Sequence, residues 1–277
     1  MQQRLTTSLA ILLVVAVGLA CSLLRPTRPL TWHLMLEVDA AAADRAAAVQ
    51  QTITVIQSRL HAVGVPNFKV LAQGEPVNGR ILVSLPDVPD RERLARLITA
   101  GGKLELVAVI GPPSPSPVQV FSSQEDAIAS LGGKLPANRR VLPYVERDEA
   151  TARDQSSERS HRWVVVEAPA IVDGSDLRDA SAVPSRSGSD DYQIRFSLKA
   201  KGAQKFADWT GTNINNYLGV VLNDEVKSIA YIKSQISDSG EIAGRFTKLS
   251  AEDLALVLRS GALPAPVKII EEGADKH

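Results

Sequence analysis

Between Arg4 and Arg25 the chain carries no charge and reads LTTSLAILLVVAVGLACSLL from Leu5 to Leu24. A helix rises about 1.5 Å per residue, so Thr7 to Leu24 is long enough to cross a hydrocarbon core of about 30 Å. Three readings share this run. A retained single-span anchor suits its length, whereas a cleaved signal peptide has a shorter apolar core and a small-x-small site, which does not follow cleanly here. Lipidation at Cys21, the only cysteine, has Ala20 as a suitable neighbour, but Gly18 stands where a bulky aliphatic is expected. Each reading delivers the remainder of the chain to a membrane or beyond it. Arg4 precedes the run and Arg25 and Arg28 follow it, so charge alone leaves the orientation open.

The length of 277 residues leaves room for two folded units after one span. Acidic and basic residues balance at 31 each without a basic run, which argues against nucleic acid as a partner. Aromatics are only 4%, so the core must rest on Leu, Val, Ile and Ala.

Trp32 to Val38 has strand character, and residues 40–63 form the clearest helix, with Val49, Ile53, Ile56 and Leu60 on one face and Gly64 as its stop. Asn67 to Leu71 and Arg80 to Leu85 are predicted strands, with Asn78-Gly79 in the turn between them. Asp90 to Ala100 is a second predicted helix burying Leu94, Leu97 and Ile98, ended by Gly101-Gly102. Lys103 to Ile110 is predicted as the next strand. The order is β-α-β-β-α-β, a split βαβ unit with helices on one face of an antiparallel sheet.

The stretch GPPSPSP at 111–117 breaks regular structure, and the charged 146–162 has no aliphatic larger than Ala and reads as a loop. Beyond it, Trp163 to Val166 and Tyr192 to Leu198 are predicted strands, and Lys199 to Asn215 a helix with Ala203, Phe206, Ala207 and Thr210 on one face. Tyr217 to Leu222 and Val226 to Ile232 suit a strand pair around residues 223–225. Ala251 to Arg259 is a helix with Ser250 and Asp253 in capping-box spacing, Gly261 stops it, and Val267 to Ile270 is a final strand able to return to the first sheet.

Chemistry is sparse. His33, His61, His161 and His277 are scattered and lack metal-ligand spacing, so no metal or cofactor is expected. Asp190-Asp191 and Glu271-Glu272 point apart on extended chain and read as solvated surface. Gly101-Gly102 and Gly132-Gly133 lack phosphate-loop spacing, and Ser84, Ser197 and Ser228 have no His and acid nearby in sequence. The residues singled out are architectural: Gly261, Pro264 and Pro266 couple a helix stop to a fixed turn, with a candidate hinge role shared with connections at 108–117 and 245–250.

The stretches LMLEVD (34–39), QSRLHAVGV (57–65), RILVSLPDVPD (80–90), GKLELVAV (102–109) and AEDLALVLRSGALPAPVKIIEE (251–272), with residues 196–246, resemble the first periplasmic domain of the SecD protein-export family. The resemblance implies an α+β chain: a ferredoxin-like split βαβ base with an inserted α+β head, preceded by one transmembrane helix. Its segments are an anchor at 1–29, base at 30–110, head at 111–250, a return to the base at 251–272 and a polar tail at 273–277. It further implies a non-enzymatic module that engages emerging preproteins in Sec-dependent translocation, with partners such as SecF and a SecY-like channel, the N-terminus cytoplasmic and the body outside the inner membrane. Pro29-Leu30-Thr31-Trp32-His33 departs from the Asp-Leu-x-Gly-Gly motif of the family at that place. The family also continues into further membrane helices bearing a coupling acid, so proton conduction is not expected of residues 1–277 alone. A structural envelope protein reusing the fold, or a hydrolase with a spatially assembled site, are the rival readings.

Overall fold

The computed structural model describes residues 29–145, 161–185 and 191–274. The Thr7–Leu24 run with Cys21, most of the polar stretch 146–162, Asp190 and His277 lie outside these residues. Among the described residues no helix is long and apolar enough to cross a membrane.

The base begins with β1 (Leu30–Val38), in which Trp32, Leu34, Leu36 and Val38 are buried in alternation. Alternate residues of a strand face opposite sides, so one sheet face turns to the helices and the other to solvent. Helix α1 (Arg45–Val63) covers that inner face with Val49, Ile56 and Leu60, and Gly64 ends it at φ 81°. It begins at Arg45 and not at residue 40, because residues 41–44 form a turn and Arg45 Nε donates to the Ala40 carbonyl at 3.1 Å. Strands β2 (Lys69–Ala72) and β3 (Arg80–Pro86) form an antiparallel pair, and α2 (Arg91–Thr99), capped by the Asp90 carboxylate on the Arg93 amide, buries Leu94, Leu97 and Ile98.

Of the two later strands expected in the base, Lys103 to Ile110 and the returning last strand, only the second is there. Leu104–Val109, β4, leaves the base, and the sheet is completed by the last strand, β13 (Val267–Ala274), in the order β13-β1-β3-β2. Its pairings are all antiparallel, giving the ferredoxin-like arrangement from two distant parts of the chain. The physical reason lies in β4 itself, where all six residues are buried. A strand buried on both faces cannot sit at the edge of a one-sided sheet.

Strand β4 instead enters a barrel. It pairs antiparallel with β10 (Tyr217–Leu222), which forms a hairpin with β11 (Glu225–Tyr231). The turn places Asn223 and Asp224 at φ 51° and 61°, a conformation these residues tolerate. Strand β11 meets β5 (Arg139–Val145), β5 pairs with β6 (His161–Glu167), and β6 returns to β4, closing a ring of five strands. Val107, Val109, Leu142, Val164, Val166, Val221 and Val226 fill its interior. The short β7 (Val172–Asp173) adds to β4.

On the outer side of β4 and β10 lies a second core. A three-stranded antiparallel sheet, ordered β12-β9-β8, is built from β8 (Leu177–Pro184), β9 (Tyr192–Leu198) and β12 (Ser239–Phe246). With α4 (Ala200–Thr212) and α5 (Lys248–Ser260) it buries Ile194, Phe196, Phe206 and Ile242 against Leu104, Leu106, Leu218 and Val220. Helix α5 starts earlier than its predicted Ala251, because the Thr247 hydroxyl, and not that of Ser250, accepts the capping bond, from the Ser250 amide. A short helix α3 (Gln124–Ser130), capped by Ser123, lies beside the barrel.

A candidate functional site at the junction of base and head

Two chain crossings join base to head, outward through Gly101-Gly102 and back through residues 261–266. They lie side by side, for the Leu263 amide donates to the Gly101 carbonyl at 2.8 Å. Gly102 has φ +73°, and a Cβ there would stand 2.7 Å from a Val257 methyl and 3.5 Å from the Gly261 carbonyl oxygen. Only glycine suits both constraints. Gly261 caps α5 at φ 90°, Pro264 and Pro266 are exposed on the return, and the Pro266 carbonyl accepts from the Asp39 amide at 2.9 Å.

At this crossing stands a residue that the periodicity reading passed over. Arg59 on α1 is fully buried; its Nη1 donates to the carbonyls of Leu97, Ile98 and Ala100 at 2.9, 3.3 and 2.6 Å, and its Nη2 to that of Gly261 at 2.9 Å. The guanidinium thus satisfies the free carbonyls at the end of α2 and the carbonyl just past the end of α5. Both ends carry partial negative charge, which suits a cation. Burial nevertheless pushes the Arg59 pKa down to about 10. The signal was present in the sequence: Arg59 lies three residues after Ile56 and beside Leu60, on the apolar stripe.

A second tie is more exposed. Arg93 on α2 holds Asp253 on α5 through Nη2 at 2.6 Å and Nε at 3.0 and 3.1 Å. The Asp253 carboxylate raises the Arg93 pKa further, through the hydrogen bond first and its charge second. Asp253 is therefore an interdomain partner and not part of a capping box.

On either side of this ion pair lies a groove. One, of about 270 Å³, runs between the end of α1 and the start of α2 and is lined by Val63, Val65, Val88 and Leu94. The other, of about 250 Å³, lies between α2 and α5 and is lined by Leu97, Ala100, Leu254 and Val257. Leu97 borders both.

Helix α5 meets the two units unequally. Ala251, Ala255 and Leu258 belong to the large head core, and Arg259 donates to the Ala180 carbonyl at 2.6 Å. Toward the base, Leu256 and Val257 form a small cluster with Leu97, flanked by Val63 and Ala100.

The remaining candidates do not converge. His33 lies over Gly273 on the open sheet face, and His61 Nδ1 is 2.8 Å from the Gln57 carbonyl with its ring edge-on to Phe68. Ser197 Oγ accepts from Arg178, and Glu272 accepts from the Trp32 indole at 3.0 Å. Among the described residues no group of three or more His, Cys, Asp or Glu could hold a metal ion.

Comparison with known proteins meets this architecture in both halves. Residues 49–111 match the family described as the N-terminal part of the P1 domain of protein translocase subunit SecDF, and residues 149–265 match the SecDF P1 head subdomain. The protein translocase subunit SecD of Koribacter versatilis is 35% identical over 81% of this chain and 38% of its own length. The SecD of Aquifex aeolicus is likewise 35% identical, over 81% of this chain and 39% of its own. The chain thus spans about two-fifths of the length of these relatives. A crystal structure of SecDF in a super-membrane-facing form superposes with a TM-score of 0.64 at 26% identity, covering 99% of this chain and 35% of that one. A structure described as a membrane component SecDF that enhances protein export gives a TM-score of 0.61 at 27% identity, covering 86% of this chain and 98% of that one. Both relatives are, by name, subunits of a protein translocase. With a ferredoxin-like base, a barrel-bearing head and matches across both, the chain belongs to the SecD family and comprises its P1 domain.

Proposed function

We propose that this chain is the membrane-anchored, extracytoplasmic P1 module of a SecD-like protein, engaging preproteins during Sec-dependent translocation. The observation that carries the reading is the identity to named SecD subunits, which extends over most of the chain. The N-terminus is cytoplasmic and the body outside; SecF and a SecY-like channel are the partners. Emerging chains offer apolar side chains and unpaired backbone, and the apolar groove between α2 and α5 suits the first, as the position of β12 at the side of its three-stranded sheet suits the second.

Articulation belongs to the same reading. Gly261, Pro264 and Pro266, with Gly101-Gly102, form the hinge, and α5 moves with the head because its larger buried face is there. The connections at 108–117 and 245–250 fit a hinge less well, since Leu104–Val109 is built into the barrel and Lys248–Ser260 into the head core. A photo-crosslinking residue at Leu254, in cells stalled during export of a secreted protein, tests the engagement. Adducts with the stalled preprotein are expected; adducts with neither preprotein nor translocase subunits overturn it.

A further inference from the structure

We infer that Arg59 is the latch of the base–head joint, keeping α5 seated against α2 beside their groove through its single bond to the Gly261 carbonyl. The inference rests on the articulation described above, but its test needs no substrate. Three of the four Arg59 bonds end on residues 97–100, inside the base, and only the Nη2 bond crosses to the return segment. The Gly261 carbonyl stands at the α5 end of the hinge, so a swing of α5 away from α2 draws it off Nη2, breaking one charge-assisted bond and leaving the guanidinium seated. The latch returns to its place because its other donors never let go.

The neighbouring contacts agree with this assignment. The apolar contact that the swing must part is small, Leu256 and Val257 on Leu97, so polar ties have a large share in keeping the joint shut. The other tie, Arg93 to Asp253, has side chains 29% and 24% exposed, where water and salt weaken an ion pair. Arg59 has neither weakness, being fully buried. It also has no carboxylate among the described residues to compete for the guanidinium, whose lowered pKa arises from burial alone. The groove lies next to this contact, because Ala100 and Gly102 line it and border the Arg59 guanidinium.

The test uses the full chain with Cys21→Ser and spin labels at Lys69→Cys on the base and Lys201→Cys on the head, both exposed positions. Wild-type Arg59 is expected to give one dominant separation. Arg59→Met keeps most of the volume without the donors and is expected to raise a second, longer separation roughly tenfold in population, against a smaller rise for Asp253→Asn. A folded Arg59→Met protein with the wild-type distribution overturns the latch. If Arg59→Met fails to fold, Arg59→Lys takes its place, with one ammonium that keeps the α2 carbonyls and loses Gly261. Failure of both to fold assigns Arg59 to folding of the base and also overturns the latch.

Discussion

The base and the head differ in how the strand at the heart of each, β1 in one and β4 in the other, is buried. In β1 the buried residues alternate with residues of an open face, so each side chain belongs to one core or to none. In β4 every residue is buried, Leu104 and Leu106 in the core beneath β9 and Val107 and Val109 inside the barrel. The pair of β4 and β10 is a wall shared by two cores. A truncation in the base is a local event, whereas one in the wall is felt on both sides of it.

Leu106→Ala strikes at the shared wall directly. Removing this side chain is expected to destabilise by about 2–5 kcal/mol, and hydrogen exchange should show loss of protection in both head cores while β1 and β3 keep theirs. Equal loss in the base would mean that the two units are one cooperative block. Gly102→Ala tests the joint between them. Strained φ and overlap with Val257 together are expected to cost roughly 1–3 kcal/mol, read as a lower denaturant midpoint with the slope unchanged.

Asp253→Asn acts on the boundary between the two units. About 1 kcal/mol should be lost at low salt, and less at high salt, because the pair is partly solvated. The smallest effect concerns acid. Asp173 caps the turn Gly174–Asp176, and its hydrogen bond to Ser175 holds the carboxyl below its ordinary value of 3.8. The stability this adds is full above that value and fades as pH falls through the lower, folded-state value. Asp173→Asn should flatten acid unfolding of the head by well under about 1 kcal/mol, given solvent screening at an exposed site.

The base was legible in the sequence because its signals are local. Alternation in residues 32–38, the apolar stripe of α1 and the glycine at 64 each fix an element without help from distant chain. The turn-forming residues 261–266 allowed a return of the last strand to the first sheet, and the family resemblance implied it. The head was legible only in part. Tyr192–Leu198 and the pair at Tyr217–Leu222 and Glu225–Tyr231 alternate or run apolar, but β8 buries only Leu177 and Ala180 fully and β12, among its described side chains, only Ile242. Such strands are stabilised by their neighbours in the sheet and leave little pattern of their own. Lys103 to Ile110 showed the same limit differently. A run of buried residues says that a strand is internal, not which sheet holds it.

At the junction the obstacle was chemical. An arginine within a helix reads as solvated surface, yet Arg59 is held by carbonyls from two segments that meet only in the folded chain. Asp253 likewise fits a cap by spacing and serves instead as the partner of Arg93.

The claim underlying all of this is that the base is a complete unit closed by β13, with the head inserted between two adjacent crossings. The most direct measurement removes residues 103–260 and joins Gly102 to Gly261 through a short flexible linker, which their proximity permits. Slow amide exchange in β1, β3 and β13, with cooperative unfolding, is the expected result. A chain without protected amides in β13 would contradict it, and would mean that the base owes its fourth strand to the head.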